Sequence, residues 1–138
     1  MDVKLALLAD YVNMTPEGKL NLMGLFTVIN APTLPWSHPQ MQLVLQMEAD
    51  PAEWGKQKKI EIILMDQDAN TILTIGSELT VPKGKSGKPV QINTILNFHN
   101  VTFKTAGDYA FVILIGGETK ERIPLRVNHS PPTPPTKS

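Results

Sequence analysis

Between Gln40 and Ala49 the chain alternates. Met41, Leu43, Leu45 and Met47 fall on one side of an extended backbone, and Gln40, Gln42, Gln46 and Glu48 on the other. Successive side chains of a strand point to opposite faces, so this period of two marks a strand with one buried and one wet face. Stretches of the same kind recur along the chain, parted by glycine, proline, asparagine and aspartate at sandwich-like spacings. No segment sustains the 3.6-residue period of a helix. A chain patterned this way must bury its apolar faces sheet against sheet.

Strands are expected at about Val3–Val12, Leu20–Ile29, Gln40–Ala49, Lys58–Asp66, Thr71–Val81, Val90–Phe98, Asp108–Ile115 and Thr119–Val127. Pro16 and Gly18 supply the first turn, and Gly116-Gly117 a tight hairpin. Asp50 before Pro51 predicts a single helical turn. Pro32, Pro35 and Pro39 argue against a central strand over Asn30–Pro39, which reads as a crossover loop. Pro124 marks the last strand as an edge or a bulge. Phe103–Tyr109, with Gly107 in it, resembles the tyrosine corner of immunoglobulin-like domains. The expected fold is all-β: a two-layer antiparallel β-sandwich of about eight strands, an immunoglobulin-like Greek key, with a jelly roll as the alternative. It spans residues 1–128, and residues 129–138 read as a proline-rich disordered tail.

Composition narrows the function classes. Of 138 residues 41% are apolar, which suffices for one core, and acids and bases balance at 13 each, which favours neither nucleic acid nor an anionic membrane as partner. Cysteine is absent, removing disulfides, thiolate nucleophiles and cysteine-based zinc sites. The apolar run Leu5–Ala9 lies between Asp2 and Asp10 and is too short for a signal peptide, so a cytoplasmic location is expected.

Each near-motif fails at a named position. Gly84-Lys85-Ser86 lacks the glycine a phosphate loop needs at Leu79, and Gly87-Lys88-Pro89 opposes the helix that should follow. Asp66–Asn70 starts like a calcium loop, yet Thr71 stands where glycine is required and Ser77 where glutamate is, so a β-turn is expected. His38, His99 and His129 show no metal-ligand spacing. Lysines concentrate in two loops, Lys56, Lys58 and Lys59, then Lys83, Lys85 and Lys88, and read as solvated charge. No catalytic residue, cofactor site or metal site is expected.

The informative feature is a fault in the alternation. The first strand is apolar on both faces, with Leu8 and Val12 opposite Leu5, Leu7 and Ala9. The second adds Met23, Leu25 and Ile29, and the seventh Val112 and Leu114. A two-faced apolar strand needs a second cover: a partner subunit, a loop packed across the sheet, or a ligand pocket. A homo-oligomer built on Leu8, Val12, Met23, Leu25, Ile29, Val112 and Leu114 is therefore expected. Trp36, His38 and Trp54 mark a ligand or partner loop.

Leu5–Tyr11, Gly18–Phe26, His38–Met41 and Gly107–Phe111 together resemble an uncharacterised family of small bacterial proteins, a domain of unknown function. The resemblance runs to about Val127 and implies a bacterial cytosolic protein with no assigned activity. The expected function is a non-enzymatic module for self-association or protein binding. The alternative is a small-ligand-binding domain or enzyme with a pocket near Asn30–Pro39.

Overall fold

A computed structural model describes residues 1–131, so the Pro132–Ser138 part of the expected tail lies outside the described residues. The chain is all-β, with strands β1 (Asp2–Met14), β2 (Leu20–Leu25), β3 (Val28–Ala31), β4 (Trp36–Ala49), β5 (Gln57–Met65), β6 (Thr71–Thr80), β7 (Val90–Phe103), β8 (Gly107–Ile115) and β9 (Glu118–His129). They form a four-stranded antiparallel sheet, β2-β1-β4-β7, and a five-stranded sheet, β3-β9-β8-β5-β6. The second sheet is mixed, because β3 runs parallel to β9. The layers are thus sandwich-like, with nine strands rather than eight and one parallel pair.

The alternation of β4 organises the core. Met41, Leu43, Leu45 and Met47 are each 0% exposed and face Ile62, Leu64, Phe111 and Ile113 of the other sheet. Full burial of such a side chain stabilises by roughly 1.5–3 kcal/mol. Several local expectations hold. Gly116 and Gly117 take φ of 61° and 80° in the β8–β9 hairpin, and Pro51–Glu53 form one turn of 3-10 helix. Tyr109 Oη donates to the Thr105 carbonyl at 2.6 Å, the hydrogen bond of a tyrosine corner.

Two boundaries differ for physical reasons. The expected strand Leu20–Ile29 is two strands, because the chain leaves one sheet after Leu25 and joins the other at Val28. The expected loop Asn30–Pro39 contains the start of β4, and only Pro32–Pro35 connect the sheets. Pro39 is tolerated in a central strand because β1 pairs with β4 only as far as Ala9–Gln42. The pairing of β4 with β7 skips Pro39 as well, so no ladder partner needs the missing N–H.

The doubly apolar first strand also has an intramolecular explanation. A register shift between Val3 and Leu5 turns Val3, Ala6 and Leu8 inward and Leu5, Leu7 and Ala9 outward. Past Ala9 the strand departs from β4, and the β1–β2 hairpin lies across the outer face of its own sheet. Ala9, Val12 and Val44 form a second buried cluster there, with Leu7, Leu20, Leu22 and Ile95 packed against it. Gln42 pins this arm: its side-chain oxygen accepts from the Val12 N–H and its amide donates to Asn97 Oδ1. Near the tip, Asn93 Nδ2 donates to the Gly18 carbonyl at 3.4 Å.

Replacing Gln42 with leucine keeps the volume but orphans the Val12 N–H, which should cost about 1–3 kcal/mol. Chemical denaturation measures the loss, and hydrogen exchange should accelerate in Val12–Leu22 while β8 stays protected. Unchanged protection in the arm would contradict this account of how it is held.

Candidate binding site at the sheet crossover

The sequence-expected interface residues separate sharply. Leu8, Val12, Ile29 and Val112 are 1–7% exposed and cannot form a free surface. Leu8 and Ile29 belong to the main core and Val12 lies under the arm. Val112 is flanked by Ile63 of β5 and Arg122 of β9 in the middle of its sheet. Leu114 is half-buried. Only Met23 and Leu25 remain at the surface, at 64% and 56% exposure, beside Tyr11 at 47%. Tyr11 pairs directly with Met23, so these side chains share the solvent face of the arm.

The residues expected to make a ligand loop are likewise divided. Trp36 begins β4, whereas Trp54 follows its other end, and a 14-residue strand spans about 45 Å. Trp54 packs against Gly84, where Gly55 and Val81 tie the two lysine-bearing loops together by a 2.8 Å hydrogen bond. Lys58 is paired there with Glu53 at 3.2 Å, and Lys56, Lys83, Lys85 and Lys88 are exposed. In the Asp66–Asn70 turn, Asp66 Oδ1 accepts from the amides of Asp68 and Asn70, each at 2.9 Å. That carboxylate is used in capping its own turn.

Trp36 and His38 do come together, through an irregularity shared by two strands. The pairing of β4 with β7 skips Pro39 and Asn100, and Asn100 takes a φ of 52°. Alternation changes phase at this point. Gln40 points outward, and so does Ser37, which bonds Thr102 at 2.9 Å. His38 and Trp36 instead turn toward the gap between the sheets.

There they line a cleft of about 260 Å³ with Asp10, Phe26, Val28, Ile29 and Asn30. Trp36 Nε1 donates to His38 Nδ1 at 3.3 Å, and the Phe26 and His38 rings are 6.0 Å apart. An indole N–H only donates, so His38 Nδ1 must carry its lone pair and the ring is neutral. Burial also lowers the His38 pKa below its usual value, opposed by the negative charge of Asp10.

Asp10 sits beneath Gly24, and a Cβ at position 24 would lie 2.9 Å from its carboxyl carbon. Gly24 has a φ of +71°, so its lack of a side chain serves both the backbone and the carboxylate. The Asp10 carboxylate is exposed and in no ion pair among the described residues. Asp10, Phe26 and Asn30 were not legible as site residues. Their one signal is that Asp10 ends the apolar run that begins at Leu5.

Residues 4–128 match a family of unknown function, DUF6941. The chain belongs to that family. No curated protein matches the sequence. Among solved structures, a glycosyl hydrolase family 2 member from Bacteroides cellulosilyticus DSM 14838 is similar over 70% of this chain and 14% of its own, at 10% identity and a TM-score of 0.37.

The Trp36–His38 hydrogen bond gives the cleft a defined pH response. A histidine whose folded pKa is depressed contributes stability above its unfolded pKa, near 6.5, and that stability is lost as pH falls toward the folded value. The Trp36 indole N–H resonance should therefore titrate with an apparent pKa below 6.5, together with a loss of thermal stability in the same window. A His38→Gln variant should lose both responses. An indole signal that does not move between pH 8 and 4.5 would count against the bond.

Proposed function

We propose that this domain is a non-enzymatic module for protein binding, with a second copy of the chain as its first partner. The observation that carries the reading is where the exposed apolar side chains lie. Tyr11, Met14, Met23, Leu25 and Val28 all fall on β1, β2 and β3, and Ile72 is the one such residue elsewhere among the described residues. β2 is also a free sheet edge, pairing only with β1. It carries no proline or charged residue between Leu20 and Leu25, the devices that normally blunt an edge. Two such edges brought together antiparallel would form an isologous contact, with Met23 and Leu25 packing across the two-fold axis.

We also read the sandwich as an immunoglobulin-like Greek key in preference to a jelly roll. The β9-β8-β5 order corresponds to the GFC order of immunoglobulin sheets, with β6 in the C′ place, and the tyrosine corner lies at the start of β8. The β1–β2 arm is then an addition at the N-terminal side of the fold.

Light scattering after size-exclusion chromatography tests the association. The expected mass is twice the 15.2 kDa of the chain, and Met23→Glu with Leu25→Glu should return it to a monomer with unchanged thermal stability. A wild-type monomer across the accessible concentration range would sink the proposal.

A further inference from the structure

The cleft beside the arm has a chemistry of its own. Its walls are the Trp36 indole, the Phe26 ring and the His38 ring, and Asp10 is the one carboxylate on its rim. No lysine or arginine lines it. The nearby Arg126 is already paired with Asp108 at 2.9 Å. Because His38 Nδ1 accepts from Trp36, the imidazole brings no positive charge, and the cleft carries the single negative charge of Asp10. The space, about 260 Å³, falls below the range usual for drug-sized ligands, roughly 300–1,000 Å³. It suits the end of one side chain better than a whole metabolite.

Aromatic faces and an unpaired carboxylate attract the same kind of group. A cation over an aromatic face is favoured by the ring quadrupole, and a carboxylate adds a charge-assisted hydrogen bond. An anion would meet the Asp10 charge, and a neutral polar group would gain little from the rings. We propose that the Asp10–Phe26–Trp36–His38 cleft binds a guanidinium or alkylammonium group, borne by an arginine or lysine side chain of a protein or by a free amine. This proposal does not rest on association through the arm. Its polar contact is Asp10, whereas the arm offers Met23 and Leu25.

The test is a titration of uniformly ¹⁵N-labelled full-length protein, followed by its amide and indole resonances. The probes are agmatine, acetyl-Gly-Arg-Gly-amide, and the same peptide with neutral citrulline in place of arginine. Saturable shifts are expected at the Trp36 indole and at the backbone amides of Phe26 and Asn30 with both cationic probes. The citrulline peptide should produce far smaller ones. Tighter binding of the arginine peptide than of agmatine would assign the cation to a protein partner, and the reverse order to a free amine.

Asp10→Asn, isosteric and at an exposed position, should weaken binding by about tenfold, or about 1.4 kcal/mol. Equal shifts with the citrulline peptide, affinity unchanged in Asp10→Asn, or shifts confined to other surfaces would each overturn the proposal. So would the absence of saturable shifts with either cationic probe. Light scattering on the same samples reads self-association separately, so failure of one reading leaves the other standing or falling on its own result.

Discussion

The side chain of Gln42 holds an unusual position: a buried amide in the outer face of a central strand, bonded on one side to Val12 N–H and on the other to Asn97. It marks the place where β1 ceases to be a ladder partner of β4 and starts to cover it. The inner face of β4 is closed by the second sheet, and its outer face at Val44 by the arm. A strand buried on both faces needs its backbone and side-chain polar groups satisfied from within. Gln42 meets part of that need while fixing the angle at which the arm leaves. The exposed side chains of Tyr11, Met23 and Leu25 follow from that placement, since the arm's lower face is taken up by Val12, Leu20 and Leu22.

Much of this architecture was legible in the sequence because period two is a strong and local signal. The interior of β4, the β5–β6 and β8–β9 hairpins, and the tyrosine corner all depend on residues close in sequence. The misread places depend on residues far apart. Nothing within Leu20–Ile29 marks a change of sheet, because Leu22 packs beneath the arm while Ile29 enters the main core. A largely apolar stretch looks the same whether one strand or two consecutive strands bury it. The rule that prolines avoid central strands misled in an instructive way. β4 is central at Leu43 but one-sided at Pro39, and that difference lies in where β1 departs rather than in β4 itself.

The candidate site shows the same division. Trp36 and His38 stand out by residue type, and their proximity needs only a spacing of two on a strand. Their inward orientation needs the paired irregularity at Pro39 and Asn100, which lie in different strands and cannot be seen from either one. Trp54 looked equivalent by composition, but the length of β4 places it at the far end. Asp10 joins His38 only because β1 and β4 have parted company at that level, opening the gap that the carboxylate borders.

The edge strand and the cleft are also mechanically joined. Gly24 belongs to β2, yet its Cα lies so close over Asp10 that no side chain fits between them. The crossover residue Phe26 is held by its N–H, which donates to the Leu8 carbonyl at 3.2 Å, and its ring forms one wall of the cleft. A displacement of β2 toward or away from the sheet therefore shifts a wall and the charged rim together. The edge strand and the cleft wall are thus set by one spacing, the distance between Gly24 and the strand it covers.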